Sequence, residues 1–270
     1  MKLAVLADVH ANWPALQAVA ADIERWQADR VVVAGDLINR GPRPVECADF
    51  VLAAARNWPW VRGNHEEYVL GHVSTPEPRT LQEDPSFWTY GRLNGQVATV
   101  AALPRQVSWR MPDGSDARVV HASMRSTRDG IFVETPDEVL REQIAPAPKL
   151  FVVGHTHKPL IRTLEGTLVV NAGSAGLPFD GDHRASYARL TWQHGAWDAK
   201  IVRLEYDRVQ AERDFAETGF IAQAGPLARL MRAELQQARS TLYEWTCCYE
   251  AAVASGEMSL DESVKRVLAR

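Results

Sequence analysis

Polar residues that can bind a metal ion follow five short apolar runs of the sequence. After these runs come Asp8-Val9-His10, Gly35-Asp36, Gly63-Asn64-His65-Glu66, His121 and Gly154-His155-Thr156-His157. Imidazole, carboxylate and the Asn carbonyl oxygen suit first-row divalent metals such as Mn, Fe, Co, Ni and Zn. No cysteine belongs to the set, which argues against a structural zinc site. The residue types therefore predict a metal site with nitrogen and oxygen ligands.

Seven side chains are candidate ligands, more than one metal ion can use. They are Asp8, His10, Asp36, Asn64, His121, His155 and His157. Two metal ions about 3.5 Å apart that share one bridging carboxylate can use all seven. Each motif taken alone also has an ordinary explanation, such as a capped turn or a satisfied buried polar group. The repetition after five apolar runs favours the metal site.

The elements that must position these residues follow from the hydrophobic pattern. It predicts strands at Lys2–Ala7, Arg30–Ala34, Trp60–Arg62, Gln106–Met111, Ala117–His121 and Leu150–Val153. It predicts helices at Asn12–Gln27, Pro44–Arg56, Asp84–Leu103 and from Asp207 onward, hairpins at Leu160–Asn171 and Ser186–Leu204, and a loop at Pro76–Pro85. The early alternation of strands and helices favours a largely parallel sheet. Because the carboxyl ends of parallel strands open into one crevice, the five clusters are expected to converge.

Composition excludes some classes of function. The formal net charge of -4 gives no electrostatic reason to expect a nucleic-acid or membrane-surface partner. No stretch approaches the ~18 apolar residues of a membrane span, and the start of the chain lacks the features of a secretory signal. Three cysteines, Cys47, Cys247 and Cys248, do not suggest a disulfide framework. We therefore expect a cytoplasmic protein.

The five motifs also resemble those of a known family. DVH, GDLINRGP, GNHE, HAS and GHTH, in this order, are similar to the signature blocks of the calcineurin-like metallophosphoesterase superfamily. A sixth block, Asn171–Leu190, resembles the tail of a branch of small bacterial and archaeal phosphoesterases. The resemblance implies an α/β fold, a four-layer α-β-β-α sandwich of two mixed sheets. It places a metallophosphoesterase domain at 1–205 and a C-terminal helical extension at 206–270, packed on the same domain.

The resemblance implies a role for each candidate residue. One metal ion would be bound by Asp8, His10 and His157, and a second by Asn64, His121 and His155. Asp36 would bridge the two ions. His65 would not be a ligand; in the family this histidine approaches the scissile phosphate, which makes it the candidate general acid. The cofactors would be two divalent metal ions, manganese first, with Fe, Zn, Ni or Co as alternatives, and a bridging hydroxide would attack the ester.

Arg40 is a further candidate, for both catalysis and substrate binding, and it lies four residues after Asp36. Its guanidinium could hold phosphate oxygens in a bidentate manner, together with Asn64 and His65. The same arginine position occurs in the phosphoprotein phosphatase and dinucleoside tetraphosphatase branches, whereas many phosphoesterases of the tail-block branch have another residue there. A surface arginine in a turn is the alternative. The expected substrate is a small phosphorylated molecule, a nucleotide or another phosphoester.

Alternative functions remain open at this point. Within the superfamily, the substrate could be a dinucleoside polyphosphate or a phosphoprotein. Metallo-β-lactamase-like hydrolases are disfavoured, because Lys158-Pro159 rather than Asp-His follows His157. A binding scaffold that lost catalysis should also have lost ligands, yet all seven are present. The C-terminal helices could be a packing layer, a lid or a homo-oligomer contact.

Overall fold

The computed structural model describes residues 1–56, 58–74 and 84–270 of the chain. Its strands are β1 (Lys2–Leu6), β2 (Arg30–Val33), β3 (Gln106–Arg110), β4 (Asp116–Val120), β5 (Leu150–Val153), β6 (Leu160–Leu164), β7 (Thr167–Asn171), β8 (Ala185–Gln193) and β9 (Ala196–Leu204). Its first α-helices are α1 (Trp13–Trp26), α2 (Pro44–Leu52), α3 (Asn64–Gly71), α4 (Pro85–Arg92), α5 (Val97–Ala101) and α6 (Asp137–Gln143). The C-terminal helices are α7 (Arg208–Glu217), α8 (Phe220–Gln223), α9 (Leu227–Gln237), α10 (Thr241–Ala254) and α11 (Leu260–Leu268). The predicted loop at Pro76–Pro85 lies outside the described residues, apart from its last two.

Two mixed sheets form the centre of the molecule. The first has the strand order β2-β1-β8-β9 and the second has the order β3-β4-β5-β7-β6. In the first sheet, β1 runs parallel to β2 and antiparallel to β8. In the second, β5 runs parallel to both β4 and β7. The predicted fold class of two mixed sheets flanked by helices is confirmed.

The alternation of side chains along each strand builds the layers. Leu3 and Val5 of β1 belong to the cluster of buried residues between the sheets, together with Val152 of β5. The intervening residue Ala4 instead belongs to the cluster that packs against α1. In β5, Phe151 faces outward and joins the cluster that includes α6. Because successive strand residues point to opposite faces and both faces are covered, β5 is apolar throughout and β1 is apolar after Lys2.

Four sequence predictions differ from the structure. The strand at Trp60–Arg62 is wrong: within the described residues, Trp60 forms one isolated parallel bridge to Val33. Pairing stops there because Pro59 has no N–H and the Arg62 N–H donates to the Pro104 carbonyl. Helix α2 ends at Leu52 instead of residue 56, and the helix expected over 84–103 is divided into α4, a 3-10 helix at 94–96 and α5. The prediction of a largely parallel sheet holds only for β1 with β2 in the first sheet and for β4, β5 and β7 in the second. The hairpin strands pair antiparallel.

The C-terminal helices pack on the sandwich through apolar side chains and ion pairs. Phe215, Phe220 and Met231 share a buried cluster with Trp88 and Leu177. Two buried carboxylates of these helices also pair with arginines of the loop that follows β2, as described below. The predicted division of the chain at residue 205 stays a prediction. None of the described helices has the length and apolar character that crossing a membrane requires.

Candidate metal centre

Four strand ends and one helix start meet at a single buried site. β1 and β2 of the first sheet, β4 and β5 of the second, and the first residue of α3 each bring predicted ligands to it. Three groups have ligand atoms within 4.8 Å of one another: Asp8, His10 and His157; His10, Asp36 and His65; and Asp36, His121 and His155. The Asn64 side-chain oxygen lies 2.9 Å from both His121 Nε2 and His155 Nδ1. All seven predicted ligands and His65 therefore lie together.

The two carboxylates are oriented by backbone hydrogen bonds. Asp8 Oδ2 accepts a hydrogen bond from the His155 N–H at 2.8 Å, and Asp36 Oδ1 accepts one from the His65 N–H at 2.9 Å. The second oxygen of each faces the histidines. Asp8 Oδ1 is buried and has no hydrogen-bond partner among the described residues. An unpartnered buried carboxylate oxygen is costly unless a positive charge compensates it.

Two glycines allow the loops to approach these carboxylates. A Cβ atom on Gly63 would lie 2.1 Å from Asp36 Oδ1, and one on Gly154 would lie 2.4 Å from Asp8 Oδ2. Neither glycine has a positive φ, so close approach rather than a left-handed conformation requires glycine here. The glycines of GNHE and GHTH are thus required for the positions of the Asp36 and Asp8 carboxylates.

Three histidines use one ring nitrogen to fix the direction of the other. The Nδ1 atoms of His10, His121 and His157 lie within hydrogen-bond distance of the backbone carbonyls of Asn39, Ala34 and Leu177. A carbonyl only accepts, so each Nδ1 carries a proton and, in the neutral ring, each Nε2 has a lone pair. His10 Nε2 and His157 Nε2 lie 3.1 Å apart. Two facing lone pairs and the unpartnered Asp8 oxygen are a donor set that fits a divalent cation.

The electrostatics of the site favour bound positive charge. Burial opposes a charged imidazole at His121, but the neighbouring Asp36 carboxylate outweighs it and raises the pKa of His121 to about 10. Burial alone would raise the pKa of Asp36, yet the positive charge of His121 holds that pKa well below its usual range. Burial lowers the pKa of His155 to about 4 and that of His10 well below its usual value. His10 and His155 are therefore neutral lone-pair donors at neutral pH.

Backbone strain is concentrated in the ligand loops. Five predicted ligands have φ between 49° and 67°: Asp8, His10, Asp36, His155 and His157. Such left-handed conformations cost a non-glycine residue on the order of 1–3 kcal/mol each and persist only where the surroundings enforce them. For Asp8, His10 and Asp36, backbone hydrogen bonds between the loops after β1 and β2 enforce them, including one from the His10 N–H to the Asp36 carbonyl at 3.0 Å.

His65 is held beside the predicted ligands in a defined tautomer. The side-chain oxygen of Asn39 accepts the Arg40 backbone N–H at 2.9 Å and the Thr89 hydroxyl at 3.1 Å. Since a backbone N–H can only donate, the amide nitrogen of Asn39 must face His65 Nδ1, 3.0 Å away, and donate to it. Burial lowers the pKa of His65 to about 3. The neutral ring therefore carries its proton on Nε2.

Three residues at this site were not predicted from the sequence. Glu66 is fully buried and accepts backbone N–H groups of Gly63, Asp36 and Leu37 at 2.7, 2.8 and 3.0 Å. Its signal was the fourth letter of GNHE, an acid at the third position of α3, as in a capping box. Phe179 stacks on His157 with the ring centres 4.1 Å apart, and Asn39 has the role described above.

Arg40 is buried and forms an ion pair. Its Nε and Nη2 atoms donate to the two carboxylate oxygens of Glu234 in α9, at 2.8 and 2.5 Å. Its Cζ atom lies 5.2 Å from the ring centre of Phe179. No sequence signal links Arg40 to a residue 194 positions away. The predicted contact of Arg40 with substrate phosphate stays a prediction.

Comparison with known proteins gives one family and several similar structures. Residues 1–195 match the model of the calcineurin-like phosphoesterase superfamily domain. A metallophosphoesterase from Sphaerobacter thermophilus is 28% identical with a TM-score of 0.70, over 88% of this chain and 99% of that one. A hypothetical protein from Pyrococcus horikoshii shares the fold at 21% identity, with a TM-score of 0.68 over 83% and 98% of the two chains. An uncharacterised protein from Methanocaldococcus jannaschii is 28% identical over 223 residues, 76% of this chain and 88% of its own.

Proposed function

Because the chain belongs to the calcineurin-like phosphoesterase superfamily, we propose that it hydrolyses phosphoric esters with two divalent cations bound at the candidate metal centre. One observation carries the proposal. His10 Nε2 and His157 Nε2 face each other at 3.1 Å with neither ring able to donate in its neutral form, beside a buried Asp8 oxygen without a partner among the described residues. When bound, such cations supply a nucleophile from water near neutral pH and neutralise phosphate charge.

The proposed ligand sets follow the groups of ligand atoms that lie close together. One cation would be held by Asp8, His10 and His157, and the other by Asn64, His121 and His155. Asp36 would bind both cations. The short contacts of Asp36 support its proposed role, since its Oδ2 atom lies 3.3 Å from His121 Nε2 and 3.9 Å from His10 Nε2. Nitrogen and oxygen ligands accept Mn, Fe, Zn, Ni or Co. We propose manganese first.

His65 is the proposed general acid. Its ring lies edge-on to His10 with the centres 4.7 Å apart, so it borders the predicted ligands without occupying a position in either set. Asn39 takes the Nδ1 side of the ring, so a proton for the leaving oxygen would come from Nε2, given up by the imidazolium form that a bound phosphate anion favours. In the same proposal Arg40 contributes charge-assisted hydrogen bonds to phosphate oxygens.

The proposed substrate is a small phosphomonoester or phosphodiester. Dinucleoside polyphosphates and phosphoproteins are competing substrates, and a binding scaffold without catalysis is the competing function. The presence of all seven predicted ligands at one buried site speaks against the scaffold. A cytoplasmic location is also proposed, supported by three cysteines that form no disulfide, as is a homo-oligomer contact through the C-terminal helices.

The experiment that tests the function is a metal-by-substrate panel. The protein is loaded with Mn²⁺, Fe²⁺, Zn²⁺, Ni²⁺ or Co²⁺ and assayed on p-nitrophenyl phosphate, bis-p-nitrophenyl phosphate, a dinucleoside tetraphosphate and a phosphopeptide. We expect hydrolysis of an ester with Mn²⁺, and loss of both hydrolysis and bound metal in Asp36→Ala. The control is Asp113→Ala, in the turn before β4. Full activity of Asp36→Ala, or no hydrolysis in any combination, would overturn the proposal.

A further inference from the structure

The ion pair between Arg40 and Glu234 joins the ligand loops to the C-terminal helices. Arg40 follows β2 on the same loop as Asp36, whereas Glu234 lies in α9, beyond the residues that match the superfamily domain. The Glu234 side chain has no exposed surface and that of Arg40 is 9% exposed. A buried bidentate pair of this kind fixes a guanidinium in one plane and one orientation.

Glu234 is itself held in place by the start of α10. Its Oε1 atom accepts the Leu242 backbone N–H at 2.9 Å and lies 3.3 Å from the Ser240 hydroxyl, which donates to it. The carboxylate therefore cannot rotate without losing these bonds. Arg40 is oriented by a rigid group that α9 and α10 build together.

The pairing leaves part of the guanidinium free. Glu234 occupies the edge formed by Nε and Nη2, and Nη1 makes no hydrogen bond to any residue in the described part of the chain. A guanidinium has five N–H donors in a planar fork. The edge formed by Nη1 and the second Nη2 hydrogen is thus unused, and such an edge binds two phosphate oxygens with parallel hydrogen bonds.

The guanidinium also borders the metal centre. Arg40 and His10 line the same small cavity, and the Phe179 ring that Arg40 contacts is the one stacked on His157. Burial is the main cause of the lowered pKa values of His10 and His65, and the positive charge of Arg40 lowers both further. Arg40 is thus near the predicted ligand His10 and the proposed general acid His65.

We propose that Glu234 is a positioning residue, which holds Arg40 with its free edge available to the phosphate group of the substrate. The C-terminal helices then complete the substrate site of the superfamily domain instead of only covering its surface. The inference rests on the proposed function, since it requires a phosphate group beside the metal centre.

A matched ion pair separates this role from a purely structural one. Arg43, three residues after Arg40, pairs with Asp214 of α7 at 2.7 Å, and the Asp214 side chain is 2% exposed. This pair also ties the loop after β2 to a C-terminal helix. The second ion-pair partner of Arg43, however, is Glu46 of α2 and not a group at the metal centre. Asp214→Asn therefore controls for the loss of a buried carboxylate that anchors the loop.

The test compares Glu234→Gln with Asp214→Asn in the full-length, Mn²⁺-loaded protein. Binding of inorganic phosphate is measured by calorimetry, together with KM, kcat, metal content and Tm. We expect Glu234→Gln to weaken phosphate binding and to raise KM by about tenfold, the loss of roughly one charge-assisted hydrogen bond. The change in kcat should be smaller, and metal content should not change. Asp214→Asn should lower Tm but leave phosphate binding within about twofold of the wild type.

A double-mutant cycle shows whether Glu234 acts through Arg40. In an Arg40→Ala background, Glu234→Gln should change phosphate binding by less than about twofold. Arg40→Lys, which keeps the charge but loses the fork, serves if Arg40→Ala does not fold. Unchanged or tighter phosphate binding in Glu234→Gln, equal weakening in Asp214→Asn, or independent effects in the cycle would overturn the positioning role.

The two proposals fail in different ways. If the wild type hydrolyses no ester in the panel but binds phosphate more tightly than Glu234→Gln, the proposed function is overturned and the positioning role stands. If esters are hydrolysed and Glu234→Gln binds phosphate as the wild type does, the positioning role is overturned and the proposed function stands.

Discussion

At the scale of single residues, a substitution of His65 tests catalysis separately from metal binding. His65 lies among the predicted ligands, but Asn39 occupies its Nδ1 side, so a function of this ring in proton transfer would use Nε2. We expect His65→Ala to lower kcat by about 10²- to 10⁴-fold, the usual contribution of a general acid, while the metal content stays at that of the wild type. Metal analysis and steady-state kinetics measure both quantities. His183→Ala, in the loop before β8, is the control, and loss of metal from His65→Ala would instead make His65 a ligand.

Gly154 offers a second test at this scale. A Cβ atom there would lie 2.4 Å from both Asp8 Oδ2 and the Cβ atom of Ala7, closer than atoms in contact can approach. We expect Gly154→Ala to displace the Asp8 carboxylate and to weaken metal binding by more than about tenfold, as measured by titration. Gly91→Ala in α4, where a Cβ meets no atom within 4 Å, should bind metal normally. Equal affinity in both variants would show that Asp8 does not depend on this close approach.

The sequence predicted the ligand types but not the groups that orient them. A histidine or aspartate after an apolar strand is visible in the sequence, because strand ends and polar residues are local features. The partners that select the ring nitrogens are backbone carbonyls, such as Ala34 for His121, and every residue has a carbonyl. Asn39 was likewise one letter of GDLINRGP, and only its distances to His65 and Thr89 reveal its function.

At the scale of elements, Glu66 joins α3 to the loop after β2. Its carboxylate accepts backbone N–H groups from both segments. These hydrogen bonds link the two segments where no strand pairing does. We expect Glu66→Gln to lower the free energy of unfolding by about 3 kcal/mol in urea denaturation. An amide nitrogen in place of Oε2 leaves the buried backbone N–H groups of Gly63 and Asp36 without their acceptor. The neighbouring Glu67 is 19% exposed and pairs with Arg128, so Glu67→Gln should cost less than about 1 kcal/mol. A similar loss in the free energy of unfolding for the two variants would show that Glu66 does not link α3 to this loop.

The elements themselves were predictable where the pattern is local. The strands at β1, β2 and β5 and the helix α1, with Asn12 as its cap, follow from apolar runs and cap residues. The pairing of β8 beside β1 joins residues about 190 positions apart, such as Lys2 and Thr191, and no local pattern specifies it. Trp60–Arg62 has the composition of a strand, but its hydrogen-bonding groups find partners outside a ladder.

At the scale of the whole molecule, the C-terminal helices determine the environment of Arg40. The sequence supported a phosphate contact or a surface turn, and the structure instead buries the guanidinium against Glu234. A contact across 194 residues depends on how α9 docks, which no motif records. Its apolar face, including Met231 and Leu235, packs in a cluster with Trp88 and Leu177. Tertiary packing therefore decides which face of Arg40 remains free.

Cation binding should stabilise the whole molecule, because the proposed ligands come from both sheets and from α3 and are brought together only in the folded chain. A cation present at 100 times its Kd adds about 2.7 kcal/mol to the free energy of unfolding if the unfolded chain does not bind it. At about 2–4 °C per kcal/mol, we expect Mn²⁺ to raise Tm by roughly 5–10 °C above that of the protein in chelator, as measured by calorimetry. Asp36→Ala, which lacks the proposed bridging ligand, should show a much smaller rise. An equal rise in both proteins would mean that the stabilising cations bind elsewhere, and no rise in the wild type would mean that the seven side chains do not form a metal site.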